Sequence, residues 1–180
     1  MKQIENHAIR LFSERGVDAV SVRDIAAACG MSPSNLYAHY ASKEALVASI
    51  FQVGFAEYAG RIRDAASGCA GFPEALRRMV KTILKLHDQD KDRFRFLILR
   101  QHNHLGEMGR DDNNPVEVIR SLVLQAMQKG EIPARDPDLM ALCLVGLIVQ
   151  PSTGHLYGRI KGNMARHAPE ISAACLRAVS

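Results

Sequence analysis

Cysteine is sparse and scattered in this chain. Cys29, Cys69, Cys143 and Cys175 form no C-x-x-C pair and no Cys/His cluster of zinc-finger spacing, which excludes a disulfide framework and a zinc finger and predicts reduced, buried thiols. Long apolar runs are scarce as well: the longest, Leu139 to Val149, is interrupted by Gly146 and closed by Pro151, short of the ~20 residues that a membrane span requires. The opening MKQIENHAIRLF lacks the apolar core and small-residue cleavage site of a secretory signal, so the expectation is a cytoplasmic protein. Neither an alternating β pattern of useful length nor an internal repeat is present, which leaves an all-α fold. A strong excess of one charge is also missing. The net charge of +4 permits a polyanionic partner without locating it, because up to Val47 the bases Lys2, Arg10, Arg15, Arg23 and Lys43 are matched by Glu5, Glu14, Asp18, Asp24 and Glu44.

What the sequence does contain is a series of helix starts and stops. With 47% hydrophobic residues over 180 positions, it can bury a sizeable core in one or two compact domains. Ile4, Ala8, Leu11 and Phe12 recur at helical spacing, and Gly16 ends that helix. Ser21 and Asp24 have the spacing of a capping box, Val22, Ile25, Ala26 and Cys29 form one apolar face, and Gly30 suits the left-handed residue past a helix end. Ser32 and Pro33 then supply an N-cap and a first helical residue, so two short helices meet at a tight turn. A longer helix starts at Ser42 and runs through Ile62. Further helices are predicted from Pro73 to His87, from Asp92 to about His102, from Pro115 to Gly130, from Pro137 to near Gln150, and from Pro169 to the end.

Two short helices about a glycine turn, braced by a first helix, are the parts of a helix-turn-helix. In that motif the second helix enters the major groove of DNA with its N-terminal residues at the base edges. Its outward side must be short and polar, and Ser32, Pro33, Ser34 and Asn35 fit, with Tyr37 and His39 also outward and Leu36 and Tyr40 as inward anchors. Lys43 has the charge and place for a phosphate contact. Arg23 can bind phosphate or guanine bidentately. The stretch from Ile4 to Leu46, with LFSERG, VRDIAAACGMS, LYAHY and SKEAL, closely resembles the N-terminal domain of TetR-type transcriptional regulators. That resemblance implies a helical, dimeric repressor released from its operator by a small molecule. It implies DNA contacts at Arg23, Ser32, Ser34, Asn35, Tyr37, His39 and Lys43. It also implies a helix-turn-helix domain over 1–47 and an effector-binding and dimerisation domain over 48–180, where the likeness fades.

The second domain carries the remaining candidates. Phe55, Tyr58, Ile83, His87, Phe96, Arg100 and His104 are a mainly apolar set with one guanidinium and two imidazoles, suited to an apolar or aromatic effector. Leu139, Leu142, Cys143, Leu144, Leu147 and Ile148 leave their helix apolar all round. With Ile171 and Cys175 of the last helix they are the expected interface of a homodimer on a roughly palindromic site. The alternative is the same architecture controlled by a protein partner or by no ligand. His102, His104 and Glu107 do not have the spacing of a metal site on a helix, and no nucleophile stands beside a recognisable base, so neither metal, cofactor nor enzymatic activity is expected.

Overall fold

The computed structural model describes residues 2–104 and 113–180, with side chains described for 2–98 and 113–180. Among the described residues all regular structure is helical: α1 (Lys2–Arg15), α2 (Val22–Ala28), α3 (Pro33–His39), α4 (Lys43–Ala66), α5 (Phe72–Gln89), α6 (Lys91–His104), α7 (Pro115–Gln128), α8 (Pro137–Leu156), a 3-10 turn (Met164–His167) and α9 (Ala168–Val179). The all-α expectation holds. The chain divides into two compact units, and the first does not end at residue 47: it runs to Gly54 and also takes in α6 from Asp92.

The first unit is built on apolar faces that are short but completely buried. Ile4, Ala8, Ile9 and Phe12 of α1, Ile25 and Ala26 of α2, Leu36 of α3 and Leu46, Ile50 and Phe51 of α4 form its core. Helix α6 joins it through contacts that the sequence pattern did not announce. The Phe96 ring stacks on Phe12 with centroids 5.8 Å apart, Ser13 Oγ donates to Asp92 Oδ1 at 2.6 Å, and Arg93 Nη2 donates to Asn6 Oδ1 at 3.2 Å. At Gly54 the absence of a side chain makes room for α6. A Cβ there would come within 2.9 Å of Leu97 Cδ2, so a side chain at 54 would force the buried Leu97 to move.

In the second unit α5 packs on α9 and on the 3-10 turn, and α8 packs on α7, α9 and α5. Its core includes Leu76, Met79, Val80, Leu84, Val123, Ala141, Leu144, Ile148, Met164 and Cys175. Asp88 caps the 3-10 turn from α5, its carboxylate accepting from Met164 N at 2.9 Å and Ala165 N at 2.8 Å. The expectation that α8 stops near Gln150 is corrected: it continues through Pro151 to Leu156. Proline removes one ladder bond and kinks a helix but does not end one whose flanking turns are held by tertiary packing. Ile148 and Ser152 are fully buried, and His155 bridges to α5, its Nδ1 lying 2.8 Å from His87 Nε2. The longer helix, 20 residues with a mean hydropathy of 1.5 in its most apolar stretch, is by length and composition long and apolar enough to cross a membrane.

Candidate nucleic-acid interface

The motif region forms as its capping residues dictate. Ser21 Oγ accepts from Asp24 N at 3.2 Å while the Asp24 carboxylate accepts from Ser21 N at 2.8 Å, closing the capping box at the start of α2. Ser21 Oγ also donates to the Asp24 carboxylate, and this bond, followed by the one from Ser21 N, holds the Asp24 carboxyl below its ordinary value. At the other end Gly30 takes φ +66°, Gly30 N bonds to Ala27 O at 3.1 Å and Met31 N to Ala26 O at 3.0 Å, a Schellman turn that a side chain at 30 would strain. Ser32 caps α3 through Asn35 N at 3.2 Å, with Pro33 in its first turn.

The turn leaves one side of α3 outward. Ser32, Pro33, Ser34, Asn35, Tyr37 and His39 are all exposed, Tyr37 at 53%, and Arg23 at the start of α2 is exposed as well. Leu36 is 2% exposed and Tyr40 9%, so the two predicted anchors do turn inward. Serine and asparagine side chains, an unblocked phenol, an imidazole and a guanidinium offer donors and acceptors for phosphates and base edges. A flat apolar surface would offer none.

Two ties hold the parts of the motif together, one at the end of α3 and one at the start of α4, and the sequence reading missed both. Tyr40 Oη donates to Glu5 Oε1 at 3.1 Å in a buried contact between α3 and α1. Burial, then the neighbouring Glu5 charge, pushes the Tyr40 phenol up. A signal for it was present, since Glu5 lies on the apolar face of α1 shared by Ala8, Ile9 and Phe12, where a carboxylate requires a donor. The second tie is Lys43, expected at phosphate: it is only part-exposed, and its Nζ donates to Val17 O at 2.9 Å and Val20 O at 3.0 Å.

The effector and dimer candidates are each divided by the structure. Phe55, Tyr58, Ile83 and His87 are buried residues of the second unit, Phe96 belongs to the first and stacks on Phe12, and the side chains of Arg100 and His104 lie outside the described residues. Burial, then the neighbouring His155, pushes the His87 imidazole down to about 4. A cleft of about 350 Å³ that the sequence did not indicate opens in the second unit, lined by the apolar Ile62, Met79, Val118 and Leu122 together with Arg63, Ser121 and Gln125.

The dimer set divides. Leu139 (56% exposed), Leu142 (58%), Cys143 and Leu147 (36%) form an outward stripe, whereas Leu144, Ile148, Ile171 and Cys175 are buried within the subunit. This last group corrects the expectation. A side chain already packed against its own chain has no surface left for a partner.

Residues 4–50 match the model of the bacterial regulatory proteins of the tetR family. Over 172 residues, 92% of this chain and 84% of the relative, the sequence is 26% identical to the HTH-type transcriptional regulator UidR of Escherichia coli K12. Over 75 residues, 42% of this chain and 37% of the relative, it is 36% identical to the HTH-type transcriptional repressor KstR2 of Rhodococcus jostii. The fold is similar to that of the transcriptional regulator FadR from Bacillus subtilis, solved in complex with stearoyl-CoA, with a TM-score of 0.80 at 17% identity covering 99% of both chains. Residues 4–50 thus form the helix-turn-helix of the bacterial regulatory proteins of the tetR family, and over most of its length the chain is similar to a transcriptional regulator that carries such a motif.

Proposed function

We propose that this protein is a cytoplasmic, homodimeric repressor that docks α3 in the major groove of an operator and leaves it when a small, mainly apolar molecule binds the second unit. The observation that carries the reading is the outward side of α3, polar from Ser32 to His39 and held on a core by Leu36 and Tyr40. On this reading Ser34 and Asn35 reach base edges, Ser32, Tyr37 and His39 contact phosphate or sugar, the N-terminus of α3 adds its own backbone donors, and Arg23 grips phosphate or guanine from α2. The stripe Leu139, Leu142, Cys143 and Leu147 then meets its copy across a two-fold axis, which sets the two recognition helices a whole number of ~34 Å turns apart. That contact also accounts for an apolar α8 in a protein that works on DNA.

The effector is assigned to the second unit, entering at the cleft lined by Ile62, Met79, Val118 and Leu122. A lining of apolar side chains with Arg63, Ser121 and Gln125 among them suits a ligand with a hydrocarbon or aromatic body and an acidic or hydrogen-bonding end. The stearoyl-CoA held by a regulator of similar fold supports that class of molecule. Release requires that the effector bind the DNA-incompetent state more tightly, since equal affinity for both states shifts nothing.

The experiment is selection of duplex DNA by the purified protein from a random-sequence library, followed by titration of the selected duplex. A recurrent, two-fold symmetric site is expected. Recovery of no sequence above background overturns operator recognition. A thermal-shift screen of apolar acids and aromatics then tests the effector: a true one lowers operator affinity, and by reciprocity operator weakens its binding by the same factor.

A further inference from the structure

Lys43 is the first residue of α4, and its side chain turns back onto the segment that joins α1 to α2. That segment begins at Gly16, whose left-handed φ of +81° ends α1, and it passes through the buried Val17 and Val20 before Ser21 caps α2. Its own backbone bonding is thin: Val20 N reaches Val17 O only at 3.4 Å. The Lys43 ammonium fills the gap, donating to both carbonyls, Val17 O at 2.9 Å and Val20 O at 3.0 Å. Charge-assisted bonds of this kind are about twice as strong as neutral ones, and removal of the donor leaves two carbonyls in a part-buried setting to be satisfied again. An ammonium has three N–H groups, and two of them are engaged here.

The geometry has a consequence for DNA. Val20 immediately precedes the capping residue Ser21, and the exposed Arg23 stands two residues further on. The place of Arg23, and of the whole N-terminus of α2, is therefore set by the first residue of α4 as well as by the packing of Ile25 and Ala26. We propose that Lys43 is a positioning residue for operator binding: it holds the α1–α2 turn, and through it Arg23, in the register that DNA requires, and is not itself one of the charges that neutralise phosphate.

The inference rests on the DNA-binding reading, and salt dependence separates the two. Each phosphate neutralised adds about one unit to the slope of log affinity against log salt, whereas a brace changes affinity without changing the slope. The full-length protein, Lys43→Met and Lys43→Arg are titrated with the duplex that the unaltered protein selects from a random library, between roughly 50 and 200 mM salt, and each is melted thermally. Lys43→Met keeps the aliphatic stem and removes both bonds. It is expected to bind about tenfold more weakly at every salt concentration, with the slope of the parent and a lower melting temperature.

Lys43→Arg keeps the charge but replaces a compact ammonium with a longer planar fork that does not sit between the two carbonyls in the same way. It is expected to weaken binding as well. A slope shallower by about one unit per subunit in Lys43→Met, with an unchanged melting temperature, overturns the proposal. So does parental affinity in Lys43→Arg, which decides the matter if Lys43→Met does not fold. Failure of the unaltered protein to select any duplex removes the DNA-binding reading itself, a result distinct from either.

Discussion

On α3 the side turned to solvent carries Ser34, Asn35, Tyr37 and His39, whereas on α8 it carries Leu139, Leu142, Cys143 and Leu147. Both helices bury one narrow face: Leu36 in the seven-residue α3, and Met140, Ala141, Leu144, Ile148 and Ser152 in the 20-residue α8. The outward face thus carries the information about partners. A polar face anchored from behind loses nothing by standing in water and gains when it meets phosphates and base edges. A leucine stripe of period three to four is in its best state only when another apolar surface covers it. Size differs with chemistry, since a short helix can enter a groove about 12 Å wide and a long one can pair along its length.

The largest expected effect distinguishes the two faces of α8. Leu144→Glu places a carboxylate where the native side chain is 0% exposed, and should unfold the second unit, at a cost of about 3–5 kcal/mol or more. Leu142→Glu, on the exposed stripe, should give a folded monomer. Light scattering with circular dichroism checks both, and a folded, dimeric Leu142→Glu protein would break the comparison.

Next is Tyr37→Ala on α3. With half of the side chain in solvent, its melting temperature should barely move, while operator affinity falls about tenfold in a gel-shift titration. Equal affinity in the variant would leave the polar face of α3 without the role assigned to it.

A smaller loss is expected from Tyr40→Phe, which leaves the buried Glu5 carboxylate without its donor from α3. Stability should fall by about 1–2 kcal/mol in urea unfolding, and operator binding should weaken although Tyr40 faces away from DNA. Glu5→Gln restores a neutral partner and should recover part of the stability in the Tyr40→Phe background.

The smallest effect is confined to acid. His87 accepts a proton near its ordinary value of 6.5 when unfolded but only near about 4 when folded. Between those values the unfolded chain binds more protons, so stability declines as pH falls through that window and is fully retained above it. His87→Gln should flatten the dependence of melting temperature on pH between about 6.5 and 4. The thiols offer a parallel check on α8. Burial pushes the Cys175 thiol up to about 11, so a maleimide should spare it in the native protein, while Cys143 should react faster in Leu142→Glu than in the parent.

Much of the first unit was legible because its signals are local. Capping pairs such as Ser21 with Asp24, the left-handed Gly30, and Pro33 after Ser32 act over three or four residues, and all of them hold in the structure. The outward polar set on α3 follows from the same short-range period. Helix α8 was read less well: the apolar run was seen, but its division into Leu144 and Ile148 inside and Leu142 and Leu147 outside was not, because a helix apolar all round has no pattern to orient it. Its passage through Pro151 was missed for a related reason, since tertiary contacts at Ser152 and His155 outweigh a local breaker.

Sequence by itself determined the class of fold, the helix-turn-helix and the side chains that α3 turns to solvent, since each depends on residues within one or two turns of each other. Tertiary structure alone decided that α6 from Asp92 belongs with α1, that Tyr40 reaches Glu5 across 35 positions, and that the Lys43 ammonium closes on Val17 and Val20. Those are contacts between distant parts of the chain, where the partner of a polar group is whatever the packing of two helices brings within about 3 Å, and no local period records it.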